Sequence, residues 1–280
     1  MNGTNFPSDE EIKKFYTLFC EIFTAFHNYV TAKKLSKSKI YTWSLTAYYY
    51  SLMHCGRAIC YMALKCFPKR HEALHKFLKG ENLERKEKFW KLDEPKGISE
   101  QHTFEELLEN LPVNNNSVKS KIKKLGEYLE KIKKVREFNS YEMFIVAHQI
   151  EHYVLSPKLK KGSIKICQIV KNYLIFVMDL FFAYVQPKAD YFKAFLLDRN
   201  QNNKWAFEYL LRTLSKQRFG KSIIEEVKTV INDQLLSRIS VQMECPDSFY
   251  EPISFQVFSG KSQIINDFIK LIDDVDNETN

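Results

Sequence analysis

Glycine and proline are scarce in this chain, with eight of each among 280 residues, and that scarcity argues against a fold made of many tight turns. The six cysteines, at positions 20, 55, 60, 66, 167 and 245, include no CxxC pair. Neither a disulfide framework nor a metal site is therefore indicated, and most of these thiols sit in apolar helical patterns where cysteine behaves as a small hydrophobe. A long uncharged apolar run is also missing. The most apolar stretch, IKICQIVKNYLIFVMDLFFAYV at 164–185, is interrupted by Lys165, Lys171, Asn172 and Asp179, so it reads as a core helix and not as a membrane span. The opening MNGTNFPSDEEIKKF has no basic stretch followed by a short apolar run, which sets the expectation of a cytoplasmic protein without membrane association. No internal repeat or low-complexity tract is visible.

What is present is aromatic and apolar: 22 phenylalanines, 15 tyrosines and 45% hydrophobic residues are ample for a packed core of long, uninterrupted helices. Asp9, Glu10 and Glu11 open a helix whose Phe15, Leu18, Phe19, Ile22 and Phe26 recur at helical spacing, which predicts a helix over 9–34. A second is predicted over 39–66, closed by Pro68, and a third begins at Arg70 and stops near Gly80. Residues 81–118, with EPKG, Pro112 and the polar run NNNS, read as an insertion carrying short helical turns around 104–108. Helices are predicted over 118–138, over 141–155 ahead of Pro157, and over 164–185 ahead of Pro187.

The last third reads as a C-terminal extension, residues 187–280, helical over 188–237 and again over 261–273. Between these, Ile239, Val241 and Met243, then Ile253, Phe255 and Val257, alternate with polar residues, which predicts a small hairpin over 238–258. The net charge of +8 is uneven: Lys119, Lys121, Lys123, Lys124, Lys131, Lys133, Lys134 and Arg136 crowd one segment, whereas Asp273, Asp274, Asp276 and Glu278 make the end acidic. Such a basic run can hold phosphates or form the solvated face of an amphipathic helix.

Three stretches in order, AYYYSLMHCGRAI (47–59), HEALHKF (71–77) and REFNSY (136–141), resemble the HEPN superfamily, the helical nucleotide-binding domains of higher eukaryotes and prokaryotes. One branch of that family carries AYYxMFHAARAL, HxGLxxxF and RxxADY on successive helices; Asn139 and Ser140 stand here where that branch has Ala and Asp. The resemblance covers about residues 10–185. It implies a mainly α fold: a HEPN-like helical bundle over 1–186 with 81–118 inserted, followed by the helical extension with its hairpin. It also implies an RNA- or nucleotide-binding protein of a bacterial defence or toxin–antitoxin system, acting as a homodimer and needing no cofactor.

Catalytic members of that family carry Arg, a polar residue, a few more residues and His. Histidine can move a proton at a ribose 2′-hydroxyl near neutral pH, while an arginine fork neutralises charge developing on phosphate, so no metal is needed. After Arg136 the next histidine is His148, but Arg70 to His75 (RHEALH) has the required spacing, which makes Arg70 and His75 the candidate catalytic pair of a metal-independent ribonuclease. Five positions apart on a helix, they diverge unless the helix starts or bends between them. Lys133, Lys134, Arg136 and Tyr141 are the candidate nucleic-acid-binding residues, because an arginine beside a tyrosine can bind phosphate and stack a base; pairing of Arg136 with Glu137 or Glu142 on a wet surface is the competing reading. His54 and Arg57, one turn apart, are read either as lining a nucleotide cleft with Tyr48 and Tyr49 or as satisfying tyrosine hydroxyls and carbonyls in the core. The alternative function is a non-catalytic HEPN scaffold that binds a protein through its C-terminal region.

Overall fold

A computed structural model describes residues 9–84, 87–91, 94–98, 101–137 and 156–188; the predicted helices at 141–155, 188–237 and 261–273 and the hairpin lie outside them. The described part is mainly α. Its helices are α1 (Asp9–Lys37), α2 (Tyr41–Leu64), α3 (His71–Lys79), α4 (Phe104–Glu109), α5 (Asn116–Glu137) and α6 (Ser156–Val185), the last followed by a 3-10 turn at Gln186–Lys188.

Helix α2 is the axis of the bundle. It packs against α1, α5 and α6, and Leu45, Tyr48, Tyr49, Leu52, Cys55, Ala58, Ile59 and Met62 are all buried. Each large apolar side chain so buried contributes about 1.5–3 kcal/mol. Small residues let α1 come close: the Ser44 hydroxyl donates to the Ala32 carbonyl (2.9 Å) and, two turns on, the Ser51 hydroxyl donates to the Ala25 carbonyl (2.7 Å). Ser44 also meets Ser163 of α6 at 3.1 Å, so one buried hydroxyl cluster ties three helices. Helix α6 is long and apolar enough to cross a membrane by length and composition, yet Val170, Leu174, Val177, Met178 and Phe181 are buried within the bundle.

The helix ends differ in part from the sequence expectation. Helix α2 closes at Lys65, whose backbone is left-handed (φ 60°), so the chain turns before Pro68 is reached. Helix α3 closes, as the glycine suggested, at Gly80 with φ 80°. Helix α6 begins at Ser156, eight residues ahead of the predicted start, because proline is compatible with a first helical turn. Asn115 caps α5, its side-chain oxygen accepting the Val118 N–H (2.9 Å), so part of the polar NNNS run starts a helix.

Residues 81–118 contain more order than the short turns predicted. Strands β1 (Phe67–Pro68), β2 (Phe89–Lys91) and β3 (Glu94–Ile98) form an antiparallel sheet in that order, and α4 starts with a capping box in which Thr103 and Glu106 bond each other's backbone N–H at 3.1 Å. Phe89 anchors the sheet. It is fully buried, edge-on to Phe77 of α3 (5.5 Å) and to His102 (5.1 Å). Phe104, Leu107, Leu108 and Leu111 join the same core.

Helix α5 presses on α3 at Gly126, where a Cβ would lie 2.9 Å from both the His75 carbonyl oxygen and the Lys79 nitrogen. Both are backbone atoms that cannot rotate away. Gly126→Ala is therefore expected to force α3 and α5 apart and cost about 1–3 kcal/mol, seen as a lower denaturant midpoint; an unchanged midpoint would contradict this close approach.

Candidate functional site

Three helices deliver polar side chains to one place. Helix α2 contributes Tyr49 and Tyr50, α3 contributes His71 and His75, and α5 contributes Glu130 and Lys133. The Tyr49 hydroxyl stands 3.1 Å from His71 Nδ1 and 3.3 Å from His75 Nε2. A hydroxyl has one proton, so it donates to one ring and accepts the N–H of the other; because it meets Nδ1 of His71 and Nε2 of His75, the two imidazoles hold the same tautomer, both Nδ1–H or both Nε2–H. Tyr49 is fully buried and His75 is 2% exposed, whereas His71 is half-buried with Tyr50 edge-on to it at 6.1 Å.

His75 is held neutral. Burial, then the nearby charges of Lys133 and of His71, push its pKa down to about 3. Arg70, five residues before it, sits just outside α3 with an extended backbone (φ −87°, ψ 142°). That is a helix start, the feature needed for convergence, yet the two side chains take different partners. Arg70 Nη1 donates to Glu87 at 2.7 Å and Nη2 faces Glu72 at 3.9 Å, so its fork is engaged with carboxylates while His75 is engaged with Tyr49.

The α5 lysines divide between the two sides of that helix. Lys121 and Lys123 lie over the rings of Phe176 and Phe104, and Lys133 reaches Glu72 at 3.9 Å. Lys79 bonds Glu130 at 2.7 Å, and this bond, with the Lys79 and Lys134 charges, lowers the Glu130 pKa despite an opposing contribution from burial. The structure thus brings Lys133 beside His75, and Lys134 beside Glu130 one turn earlier. Arg136 lies in the last turn of α5; its side chain, Tyr141, His148 and the proposed C-terminal partner region lie outside the described residues.

His54 and Arg57 neither share a cleft with Tyr48 and Tyr49 nor take the core partners expected of them. Tyr48 and Tyr49 are buried and cannot line an open cleft, and His54 Nδ1 meets Glu21 Oε2 of α1 at 2.6 Å, where a tyrosine or carbonyl was expected. Arg57 stacks over Phe67 at 4.9 Å. No cluster of three His, Cys, Asp or Glu side chains suited to a metal occurs among the described residues, and the five described cysteines are free. Glu21 and Glu87 are functional neighbours that sequence reading missed, because no periodicity links residues so far apart in the chain.

Comparison with protein families, with curated proteins and with solved structures finds no match for this chain.

The pH dependence of folding follows from His75. Its folded pKa is depressed below the ordinary value of about 6.5, so the unfolded chain binds the extra proton and stability falls as pH drops from about 6.5 towards 3. While only the unfolded chain takes that proton, the loss is about 1.4 kcal/mol per pH unit. In urea melts between pH 7 and 4, His75→Gln is expected to show a shallower loss than the parent chain; parallel profiles would contradict the assignment.

Proposed function

We propose that the chain is a helical RNA- or nucleotide-binding protein of the HEPN type, working as a homodimer in a bacterial defence or toxin–antitoxin system. The observation that carries this reading is that residues from the first two family-like stretches, Tyr49 and Tyr50 with His71 and His75, meet Lys133 on the helix leading into the third. A half-exposed ring pair, Tyr50 and His71, beside basic residues is the combination that single-stranded nucleic acid uses, with bases on aromatic faces and phosphates on cations.

The reading is binding in preference to cleavage. For Arg70 and His75 to act as a catalytic pair, Arg70 would have to leave Glu87 and His75 would have to leave the Tyr49 hydroxyl and reach solvent. Binding through Lys133, Lys134, Arg136 and Tyr141 requires neither rearrangement.

Replacing Lys133, Lys134 and Arg136 together by Ala is expected to weaken binding to single-stranded RNA and to flatten its salt dependence by about 0.7 in log–log slope for each phosphate no longer neutralised. Fluorescence anisotropy across a salt series reads both quantities, and unchanged affinity and slope would remove this segment from the site. Mixed RNA incubated with the pure chain, with and without chelator, is expected to stay intact. Cleavage that disappears in His75→Ala would instead assign the catalytic role to Arg70 and His75.

A further inference from the structure

Beyond Tyr50, which borders the Tyr49 cluster, α2 carries two further residues that rest on different neighbours. His54 and Arg57 are half-buried and, three residues apart, lie one turn from each other on the same face. The Arg57 guanidinium is held by Phe67 beneath it at 4.9 Å, and Phe67 is in turn stacked on Trp90 of β2 at 5.2 Å with an interplanar angle of 26°. This aromatic pair fixes the plane of the guanidinium but satisfies none of its N–H donors.

Arg57 has no ion pair and no hydrogen bond among the described residues, and its Nε is buried without an acceptor. A cation–π contact worth about 0.5–1 kcal/mol is a small return for a partly desolvated charge, and an unpaired buried donor costs about 1–3 kcal/mol. The groups around it do not supply the missing anion. Cys60, one turn on, has its thiol pushed far up by burial and is neutral. Glu21 is taken by His54, whose Nδ1 it holds at 2.6 Å.

That carboxylate also fixes how His54 presents itself. With Nδ1 donating to Glu21, Nε2 has no bonding partner among the described residues. Two groups that bind oxyanions, a pre-oriented guanidinium and a pre-oriented imidazole, thus stand one turn apart on one helix face. A carboxylate ligand spends both oxygens on an arginine fork. A phosphate has a further oxygen to share a proton with an imidazole.

We propose that Arg57 and His54, positioned by the Phe67–Trp90 stack and by Glu21, form a binding site for a phosphate group. Arg57 takes two phosphate oxygens with its fork, His54 Nε2 shares one proton with a third, and Glu21 and Phe67 act as positioning residues. The site lies on α2 and the β1–β2 edge and is independent of the RNA reading, so either can fail alone.

The test uses the full chain and two probes, inorganic phosphate and adenosine monophosphate, each at millimolar concentration against chloride at equal ionic strength. Both are expected to raise the melting temperature, as any ligand of the folded state does, and to broaden their own 31P resonances. A larger effect of the nucleotide assigns the phosphate to a nucleotide, and equal effects assign it to free phosphate. Arg57→Leu is expected to melt at or above the parent's temperature in chloride, because it removes an unpaired charge, and to lose the phosphate response at least tenfold. Arg57→Lys, which keeps the charge and loses the fork, is expected to keep a reduced response, and His54→Gln is expected to weaken binding several-fold. No phosphate response beyond chloride in the parent chain would overturn the site, as would a response that Arg57→Lys and His54→Gln leave unchanged.

Discussion

Helix α2 is enclosed by neighbours over most of its circumference, and it carries tyrosine, serine, histidine and arginine among its apolar residues. Each polar atom it buries must find a partner within the protein or cost about 1–3 kcal/mol, and the positions of the other elements follow from how those partners are supplied. Ser44 and Ser51 bond carbonyls of α1, which fixes the approach of that helix. Ser44 with Ser163 fixes α6. Tyr49 takes both histidines of α3, which sets the rotation of a helix only nine residues long.

Once α3 is fixed, the rest of that side is constrained. Gly126 lets α5 settle against the α3 backbone, Lys79 bridges to Glu130 and Lys133 approaches Glu72. Phe77 receives Phe89, so the small sheet is held down by one ring. Glu87, at the foot of β2, is buried and would be an uncompensated charge without Arg70. Arg70 is in this respect a structural partner of the sheet, which explains why its fork turns away from His75.

The helices were legible because a stripe of apolar residues at helical spacing is sufficient to bury one face, as in Phe15, Leu18, Phe19, Ile22 and Phe26 of α1 or Ile122, Leu125, Leu129 and Ile132 of α5. The strands were not. Phe67–Pro68 and Phe89–Lys91 are too short to show alternation, and what makes them strands is their pairing with each other, which the linear sequence does not display. In the site, the spacing of RHEALH put Arg70 and His75 at the start of α3 but gave no sign of Tyr49 as the shared partner of His71 and His75. Nor could it show that Glu21 would hold His54 or that Phe67 would carry Arg57. These are meetings of distant residues, and no periodicity encodes them.

One tyrosine hydroxyl inside α2 thus organises two histidines, with His75 neutral and buried. Long-range 1H–15N correlation spectra of the imidazoles across a pH series are the decisive measurement. The same tautomer is expected for His71 and His75, because the hydroxyl meets Nδ1 of one ring and Nε2 of the other, with no protonation of His75 until the chain unfolds in acid, and with the matched tautomers abolished in Tyr49→Phe. A His75 that titrates near its ordinary value of about 6.5 in the folded chain, or spectra unaffected by Tyr49→Phe, would contradict this organisation.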